Sequence, residues 1–360
     1  MTFLHRLFYR TIQVFFLSFV SAAGANAAGA LLVGQSIDLS GPNGAVGRDY
    51  VAGLRTAFDA INAGGGVNGR RINFVVRDDG GNPEATSRQV TELIERDGVE
   101  VLLGSVGDAS ARATLANAAF QRSGLTLYAP LANVDSARIH YWRPSYQQEI
   151  QYLLGYFEKL KIKRIGLAVQ DSAMNPTELQ AFSETLEKRG FIISGTSTIG
   201  SVAPQNAREA KQLAQGRPDF VVVIADTIGT AFFLKEFRHL DARTFVAGTS
   251  LINLATLREV AGIKAVEWTV FSQVVPNPAG ATTPLQIEHN AMMKKYRDEA
   301  VSSLTLEGYL VAKTLVRSMQ PGAKRELDLG GVFVNASPGE ARLSRYLDIA
   351  LFKKGAQLVF

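Results

Sequence analysis

The pattern of hydrophobic and polar positions between residues 31 and 79 predicts one strand–helix–strand unit. An apolar strand begins at residues 31–33 and leads into a loop rich in Gly, Pro and Asn at 41–44. A helix with one apolar face is predicted next, because its apolar residues recur at helical spacing: Val51, Leu54, Phe58 and Ile61. The glycines at 64–66 should end that helix, since glycine has low helix propensity and readily adopts left-handed conformations. A second strand at 72–76 then implies a right-handed parallel crossover.

The same alternation continues through the next sixty residues and predicts a doubly wound α/β sheet. Asn82 is placed to cap a helix that has Pro83 at its first position. An apolar strand at 101–103 is followed by a predicted helix at 109–121 and a strand at 125–128.

The second half of the chain predicts another sheet of the same kind. Residues 139–148 are irregular and aromatic, which indicates a crossing to a second domain. Near-continuous apolar strands at 165–169 and 220–224 are typical of a sheet covered on both faces. An extended apolar segment at 270–278 predicts a return to the first domain.

These crossings define the predicted division of the chain, which at 360 residues is long enough for two cores. Lobe 1 comprises residues 28–143 and 274–330, and lobe 2 begins with residues 144–273. The segments that connect the lobes would form a hinge, with a cleft that can close on a ligand.

The first 27 residues have the pattern of a secretory signal peptide. Arg6 and Arg10 precede an apolar run at 14–20, and small residues at 25–27 offer a cleavage site. A membrane anchor is the rival interpretation, but the apolar run is shorter than the ~20 residues that a spanning helix needs. We expect cleavage after Ala27, a periplasmic location and no membrane insertion afterwards.

Composition removes several other classes of function. Cleavage would remove two Arg and no acidic residue, so the formal charge would fall from +5 to +3. A small positive net charge whose residues are spread along the chain does not indicate a nucleic-acid partner. Cysteine is absent, which excludes disulfides, thiolate metal sites, a cysteine nucleophile and a lipid-modified N-terminal cysteine.

An ordered set of loops resembles the leucine/isoleucine/valine-binding protein family, the type I periplasmic solute receptors of ABC importers. The segments that carry the resemblance are Ser40-Gly41-Pro42, the run at 60–70, Asp78-Asp79, Gly104-Ser105 and Tyr128-Ala129-Pro130. The resemblance implies two doubly wound parallel-sheet lobes joined by a three-segment hinge. It implies that the tail crosses again at about Gly331, so that residues 331–360 complete lobe 2. It also implies a small polar solute, an amino acid or a related compound, and an inner-membrane permease that receives it.

Ligands of open α/β sheets lie beyond the carboxyl ends of strands, where loops and helix N-termini converge. The predicted ligand-binding residues lie on such loops: Ser40, Val46, Ser105, Gly107, Asp108, Ala109, Ser110, Pro130, Leu131, Ala132, Asp171, Met174, Asp226 and Thr249. In the amino acid receptors that the chain resembles, the loop matching 105–110 holds the ligand carboxylate with hydroxyl and N–H groups. A helix N-terminus there suits an anion.

Three departures from the family pattern leave the ligand open. Asp108 stands where a serine is expected; its carboxylate would repel a ligand carboxylate, or it caps the following helix. Asp171 is not followed by the tyrosine that often walls the ligand, and the loop at 248–251 has no acidic residue to pair with an α-ammonium group. Asp226 could substitute for that acid or could cap its own helix. An amide, a urea-like compound, another small metabolite or an aromatic acid therefore remains open.

The hypotheses that the protein is an enzyme or binds a cofactor have little support in the sequence. The histidines are scattered, and neither a Gly-x-Ser-x-Gly elbow nor a Walker loop occurs. Residues 64–69 match the dinucleotide pattern Gly-x-Gly-x-x-Gly, but they follow a helix and open a strand, the reverse of the phosphate-binding context. We therefore expect no enzyme, no cofactor and no metal.

Two other classes of function stay as alternatives. A ligand-sensing protein that controls a regulator or kinase would use the same hinged cleft. A periplasmic hydrolase would need a nucleophile–base pair, which the sequence does not offer. The aromatic residues Tyr141, Trp142 and Tyr146 either face the ligand near the hinge or pack at the domain junction.

Overall fold

The structure is a computed structural model that describes residues 29–174, 176–200, 203–337 and 340–360. The predicted signal peptide and its cleavage after Ala27 lie outside these residues and stay predictions. Within them, the chain forms two twisted sheets with helices packed on both faces.

The first sheet contains five parallel strands in the order β2-β1-β3-β4-β5. They are β1 (Leu31–Ile37), β2 (Ile72–Asp78), β3 (Val101–Leu103), β4 (Leu127–Tyr128) and β5 (Ile139–His140). The connecting helices are α1 (Gly44–Ala63), α2 (Pro83–Thr91) with a π-helical turn at Glu92–Arg96, α3 (Asp108–Ala116) and α4 (Ala118–Ser123). As predicted, α1 ends where the glycines begin, and the Asn82 side chain caps α2.

The second sheet continues the parallel pattern with β6 (Arg164–Gln170), β7 (Ile192–Ile199), β8 (Phe220–Ile224), β9 (Phe245–Gly248) and β10 (Thr269–Gln273). Its helices are α5 (Tyr146–Lys159), α6 (Pro176–Lys188), α7 (Ala203–Gln215), α8 (Thr227–Leu240), α9 (Leu254–Ala261) and α10 (Ile263–Val266). Residues that alternate along β6 and β8 enter two different cores, one on each face of the sheet.

The last part of the chain packs two helices beside the first sheet and adds two strands to the second. Helices α11 (Pro284–Tyr296) and α12 (Ser303–Ser318) pack on α1, and a small hairpin follows, formed by β11 (Glu326–Asp328) and β12 (Phe333–Asn335). Strands β13 (Asp348–Phe352) and β14 (Leu358–Val359) then extend the second sheet, in the order β14-β13-β10-β9-β8-β6-β7. Both pair antiparallel, so the second sheet is mixed and not purely parallel.

We call the first sheet and the helices packed on it the first lobe, and the second sheet with its helices the second lobe. The chain passes between them after β5, after β10 and before β13. Val332, Val334 and Leu343 lie in the core of the first lobe, whereas the predicted division assigns them to lobe 2. Their apolar side chains pack against that core before the chain crosses. The division by residue number as a whole stays a prediction.

A close crossing of α1 and α12 holds the core of the first lobe. A Cβ atom on Gly53 would lie 2.0 Å from the Thr305 carbonyl oxygen, and one on Gly308 would lie 2.1 Å from the Tyr50 carbonyl oxygen. Only glycine allows the two backbones to approach this closely. Trp142, from the first crossing segment, donates its indole N–H to Thr314 Oγ1 at 2.9 Å and so ties that segment to α12.

Two element boundaries differ from the sequence prediction. The helix predicted at 109–121 is two helices, α3 and α4, broken at Asn117. Asn117 has an extended backbone, and its side chain accepts a hydrogen bond from the Phe120 amide, so it caps α4. The strand predicted at 125–128 pairs only at its last two residues.

Candidate ligand-binding site

A cavity of about 150 Å³, partly open to solvent, lies between the two lobes. From the first lobe and the crossing segment it is lined by Asn43, Val106, Gly107, Asp108, Leu131, Ala132, Asn133, Arg143 and Pro144. From the second lobe it is lined by Tyr146, Glu149, Gln170, Ser172, Ala173, Ile224, Ala225, Asp226, Thr249 and Leu251. Most of these residues follow the carboxyl ends of parallel strands, which is where such sheets place their ligands.

The structure brings only part of the predicted set of ligand-binding residues to this cavity. Those that line it are Gly107, Asp108, Leu131, Ala132, Asp226 and Thr249. Those that lie elsewhere are Ser40, Val46, Ser105, Ala109, Ser110, Pro130, Asp171 and Met174. That any of them contacts a ligand stays a prediction.

The residues outside the cavity have identifiable positions. Val46 and Met174 are buried in hydrophobic cores of the first and second lobe. Ser110 is buried and hydrogen-bonded to Thr86 at 3.0 Å. Ser105 is also buried, and its hydroxyl has no partner among the described residues. Pro130 is buried too, whereas Ser40, Ala109 and Asp171 are exposed.

Asp108 does not cap its helix. The residue in the N-cap position of α3 is Gly107, with a φ of 88°, and Asp108 is the first helical residue. Its Oδ1 accepts a hydrogen bond from the Asn133 amide at 2.7 Å, and its Oδ2 lies 3.8 Å from Arg112 Nη2. Burial raises the pKa of the Asp108 carboxyl, because the Asn133 bond and the Arg112 charge only partly replace water. The carboxylate therefore links two loops of the first lobe at the cavity wall.

Asp226, by contrast, caps α8, which is one of the two roles that the sequence left open. Its Oδ1 accepts from the Gly229 amide at 2.6 Å, which satisfies one of the free N–H groups at the helix start. Its Oδ2 accepts from Gln170 Nε2 at 2.8 Å, and Gln170 Oε1 accepts in turn from the Asp226 amide at 2.8 Å. This reciprocal pair joins the loops after β6 and β8.

A buried ion pair lies where the first crossing segment enters α5. Arg143 is 3% exposed and Glu149 is 1% exposed, and Arg143 Nη2 donates to Glu149 Oε1 at 3.1 Å. The same nitrogen also contacts Ser250 Oγ. Glu149 Oε2 accepts from the Ser250 amide at 2.8 Å and from Ser272 Oγ at 2.6 Å. Both oxygens of the carboxylate are therefore satisfied, as a buried charge requires.

A second carboxylate, Glu307 of α12, approaches this pair from the first lobe. Its Oε2 lies 3.6 Å from Arg143 Nη1, and the side chain is almost completely buried. Burial raises the pKa of Glu307 to about 7; the Arg143 charge opposes this rise, and the Glu149 charge adds to it. Burial alone would lower the pKa of Arg143, but the charges of Glu307 and Glu149 outweigh it and the pKa is raised.

The lobes also meet through Asp49 of α1. Asn253, the N-cap residue of α9 in the second lobe, donates from Nδ2 to Asp49 Oδ2 at 2.9 Å. The Ser302 hydroxyl at the start of α12 donates to the same oxygen at 2.7 Å. Burial raises the pKa of Asp49, and these two hydrogen bonds oppose that rise.

Sequence reasoning missed several lining residues for different reasons. Gln170 ends β6, so the rule that ligands lie beyond strand ends could have identified it. Arg143 and Glu149 carry charges into a segment that is otherwise aromatic or helical, and only their burial reveals them. Tyr146 lines the cavity, whereas Tyr141 and Trp142 are buried in hydrophobic cores of the first lobe.

Two features are absent from the described parts of the chain. No helix there is long and apolar enough to cross a membrane. Nor does that part contain a group of three His, Cys, Asp or Glu side chains that could hold a metal ion.

Comparison with known proteins agrees with this architecture. The family model described as periplasmic binding protein matches residues 31–326. The Leu/Ile/Val-binding protein homolog 1 of Brucella abortus is 33% identical over 88 residues, which is 24% of this chain and 24% of that relative. The matched part therefore spans about a quarter of that relative's length.

Solved structures extend the similarity to nearly the whole chain. A substrate-binding periplasmic protein from Ralstonia solanacearum has a TM-score of 0.83 at 25% identity, over 91% of this chain and 99% of that one. The branched-chain amino acid transporter substrate binding protein of Streptococcus pneumoniae, solved with isoleucine, has a TM-score of 0.76 at 17% identity, over 92% and 98%. The second likeness concerns the fold alone. The predicted resemblance is confirmed, and this chain belongs to the periplasmic binding protein family, type I.

Proposed function

We propose that this protein is the periplasmic receptor of an ABC importer and that it captures a small polar solute in the cavity between its lobes. The observation that carries the proposal is the cavity itself, which lies between the lobes and is lined by loops of both. Because the chain crosses between the lobes three times, relative motion of the lobes would open and close the site.

The chemistry of the lining favours binding over catalysis. The hydroxyl groups of the lining belong to Tyr146, Ser172 and Thr249, and no histidine accompanies them in this set. Asp226 is occupied as a helix cap, and Glu149 is occupied by Arg143 and two serines. A nucleophile activated by an adjacent base, which hydrolysis would require, is not assembled among these lining residues.

Delivery to an inner-membrane permease follows from the family and the predicted secretion. The mature chain would begin at residue 28 and act free in the periplasm. Its lobes would present a different surface to the permease when the solute is bound, since one lobe moves relative to the other.

A thermal-shift screen of residues 28–360 tests the proposal, followed by calorimetric titration of each hit. A solute that binds only the folded protein stabilises it by about 2.7 kcal/mol at 100 times its Kd. The panel should contain amino acids, amides, urea, polyamines and aromatic acids. Failure of every class of small solute to raise the melting temperature would contradict the proposal.

A matched pair of variants locates the binding. Ala173→Trp places a large side chain at the cavity wall, whereas Ala116→Trp places it at the exposed C-terminal end of α3. The first should abolish binding and the second should preserve it. Equal affinity in both variants would mean that the solute binds outside the cavity.

A further inference from the structure

Two of the helices that begin at the cavity, α3 and α8, carry carboxylates of this chain at their N-termini. Asp108 is the first residue of α3, Asp226 is the N-cap of α8, and both line the cavity. A helix N-terminus attracts anions through its free N–H groups and its dipole. At both of these N-termini a protein carboxylate already supplies the negative charge. A ligand carboxylate placed at either terminus would face a like charge.

The cavity also lacks an uncompensated cation among its described lining residues. Arg143 is the only Lys or Arg in that set. Its Nη2 is bound to Glu149 at 3.1 Å, and its Nη1 lies 3.6 Å from Glu307. Because two carboxylates share this one guanidinium, Arg143 is a poor anchor for an anionic ligand.

The Asp108 carboxylate, in contrast, has capacity to bind a cation. Only Oδ1 is within hydrogen-bond distance of the Asn133 amide. Oδ2 is 3.8 Å from Arg112, whose side chain is 58% exposed, so water weakens that attraction. The raised pKa of Asp108 has burial as its largest cause, and a ligand cation beside the carboxylate would offset that burial.

The neighbourhood of Asp108 suits an organic cation with an apolar body. The ring of Tyr146 lines the same cavity, and an aromatic face attracts an ammonium group. Burial raises the pKa of Tyr146 to about 12, and the nearby Asp108 charge contributes to this rise. Much of the remaining wall is apolar, including Leu131, Ile224 and Leu251.

We propose that the cavity takes a solute with a positively charged nitrogen group and an apolar body but no free carboxylate, and that Asp108 is the specificity-determining residue. This inference rests on the proposed receptor function and names the chemical class of its ligand. An alkylammonium or amidinium compound fits this description, whereas a zwitterionic amino acid does not.

Probes with closely matched apolar bodies and different charges test the inference by calorimetric titration at pH 7. They are 3-methylbutylamine (cation), leucine (zwitterion), 4-methylpentanoate (anion) and 4-methylpentanamide (neutral), with cyclohexylamine and benzylamine as cations of other shapes. We expect at least one amine to bind more tightly than leucine, the anion and the amide by about tenfold or more. Tighter binding of leucine, the anion or the amide than of every amine would overturn the inference and leave the receptor function intact. Binding of no probe, together with a negative solute screen, would overturn both.

A charge-neutralising variant tests the role of Asp108. Asp108→Asn keeps an oxygen acceptor for the Asn133 amide but removes the negative charge. It should weaken amine binding by about tenfold or more and strengthen binding of leucine. The matched control is Asp298→Asn, an exposed residue between α11 and α12 and outside the cavity lining, which should change amine affinity by less than about twofold. Unchanged amine affinity in a folded Asp108→Asn protein, or equal effects of the two variants, would contradict the assignment.

Discussion

Replacing Glu307 by Gln should make this protein more stable at neutral pH. The Glu307 carboxylate is buried on α12, with Arg143, Glu149 and Tyr50 as the charged and titratable groups around it. Arg143 already pairs with Glu149. Ionisation of Glu307 therefore adds a net negative charge inside the protein, which explains a pKa of about 7. Gln has nearly the same shape and stays neutral at every pH.

The magnitude follows from the two pKa values. The carboxyl titrates near its ordinary value of 4.5 in the unfolded chain and near 7 in the folded protein. The folded state holds the proton more tightly, so this group's contribution to stability is fully present below pH 4.5 and is lost as the pH rises through 7. The difference corresponds to about 3 kcal/mol. Glu307→Gln should thus match the wild type at pH 4.5 and exceed its stability by up to about 3 kcal/mol at pH 8.

Urea unfolding of both proteins at pH 4.5, 6 and 8 measures this difference. Glu288→Gln on α11 is a control of opposite sign, because hydrogen bonds from Lys313 and Tyr309 outweigh burial and lower the pKa of Glu288. Glu288 is 44% exposed, so its loss should cost less than about 1 kcal/mol, chiefly above pH 4.5. If the free energies of unfolding of the wild type and Glu307→Gln changed in parallel with pH, the reasoning would be refuted. It would also be refuted if the variant became less stable relative to the wild type as the pH rises.

Three further substitutions should lower the free energy of unfolding in urea, each for a different reason. Gly308→Ala should cost about 3 kcal/mol, because the added Cβ would lie 2.1 Å from the Tyr50 carbonyl oxygen; Gly155→Ala, with open space around it, should instead be neutral or stabilising. Asp226→Ala removes the cap of α8 and should lower the free energy of unfolding by about 1 kcal/mol. A smaller decrease than an exposed Asp→Ala substitution causes would contradict the capping role. Asp49→Ala removes the acceptor that joins α1 to the start of α9 and should cost about 1–3 kcal/mol, and an unchanged urea midpoint would show that this inter-lobe bond contributes nothing.

Local sequence patterns were sufficient to predict the two-sheet α/β architecture, the end of α1 and the cap of α2. These signals are the periodicity of strands and helices, the glycines after α1 and the asparagine before α2. Each acts within a few residues, so it can be recognised in the sequence. The same is true of Asp226, whose partner Gly229 is three residues away. The interpretation of Asp108 as a helix cap was wrong, because its hydrogen-bonding partner is distant in sequence. Asp108 accepts from the Asn133 amide and does not cap α3.

The composition of the site was decided by the tertiary structure. Sequence could indicate which loops follow the strands, but whether a loop side chain enters the cavity or the core depends on backbone direction and on packing from other elements. Ser105 is buried for that reason, while neighbouring Gly107 lines the cavity. Arg143 and Glu307 are far apart in sequence and meet only because α12 packs against the crossing segment. Burial and the pairing of charges are properties of the folded chain, and they set the raised pKa of Glu307 and the charge that a ligand meets in the cavity.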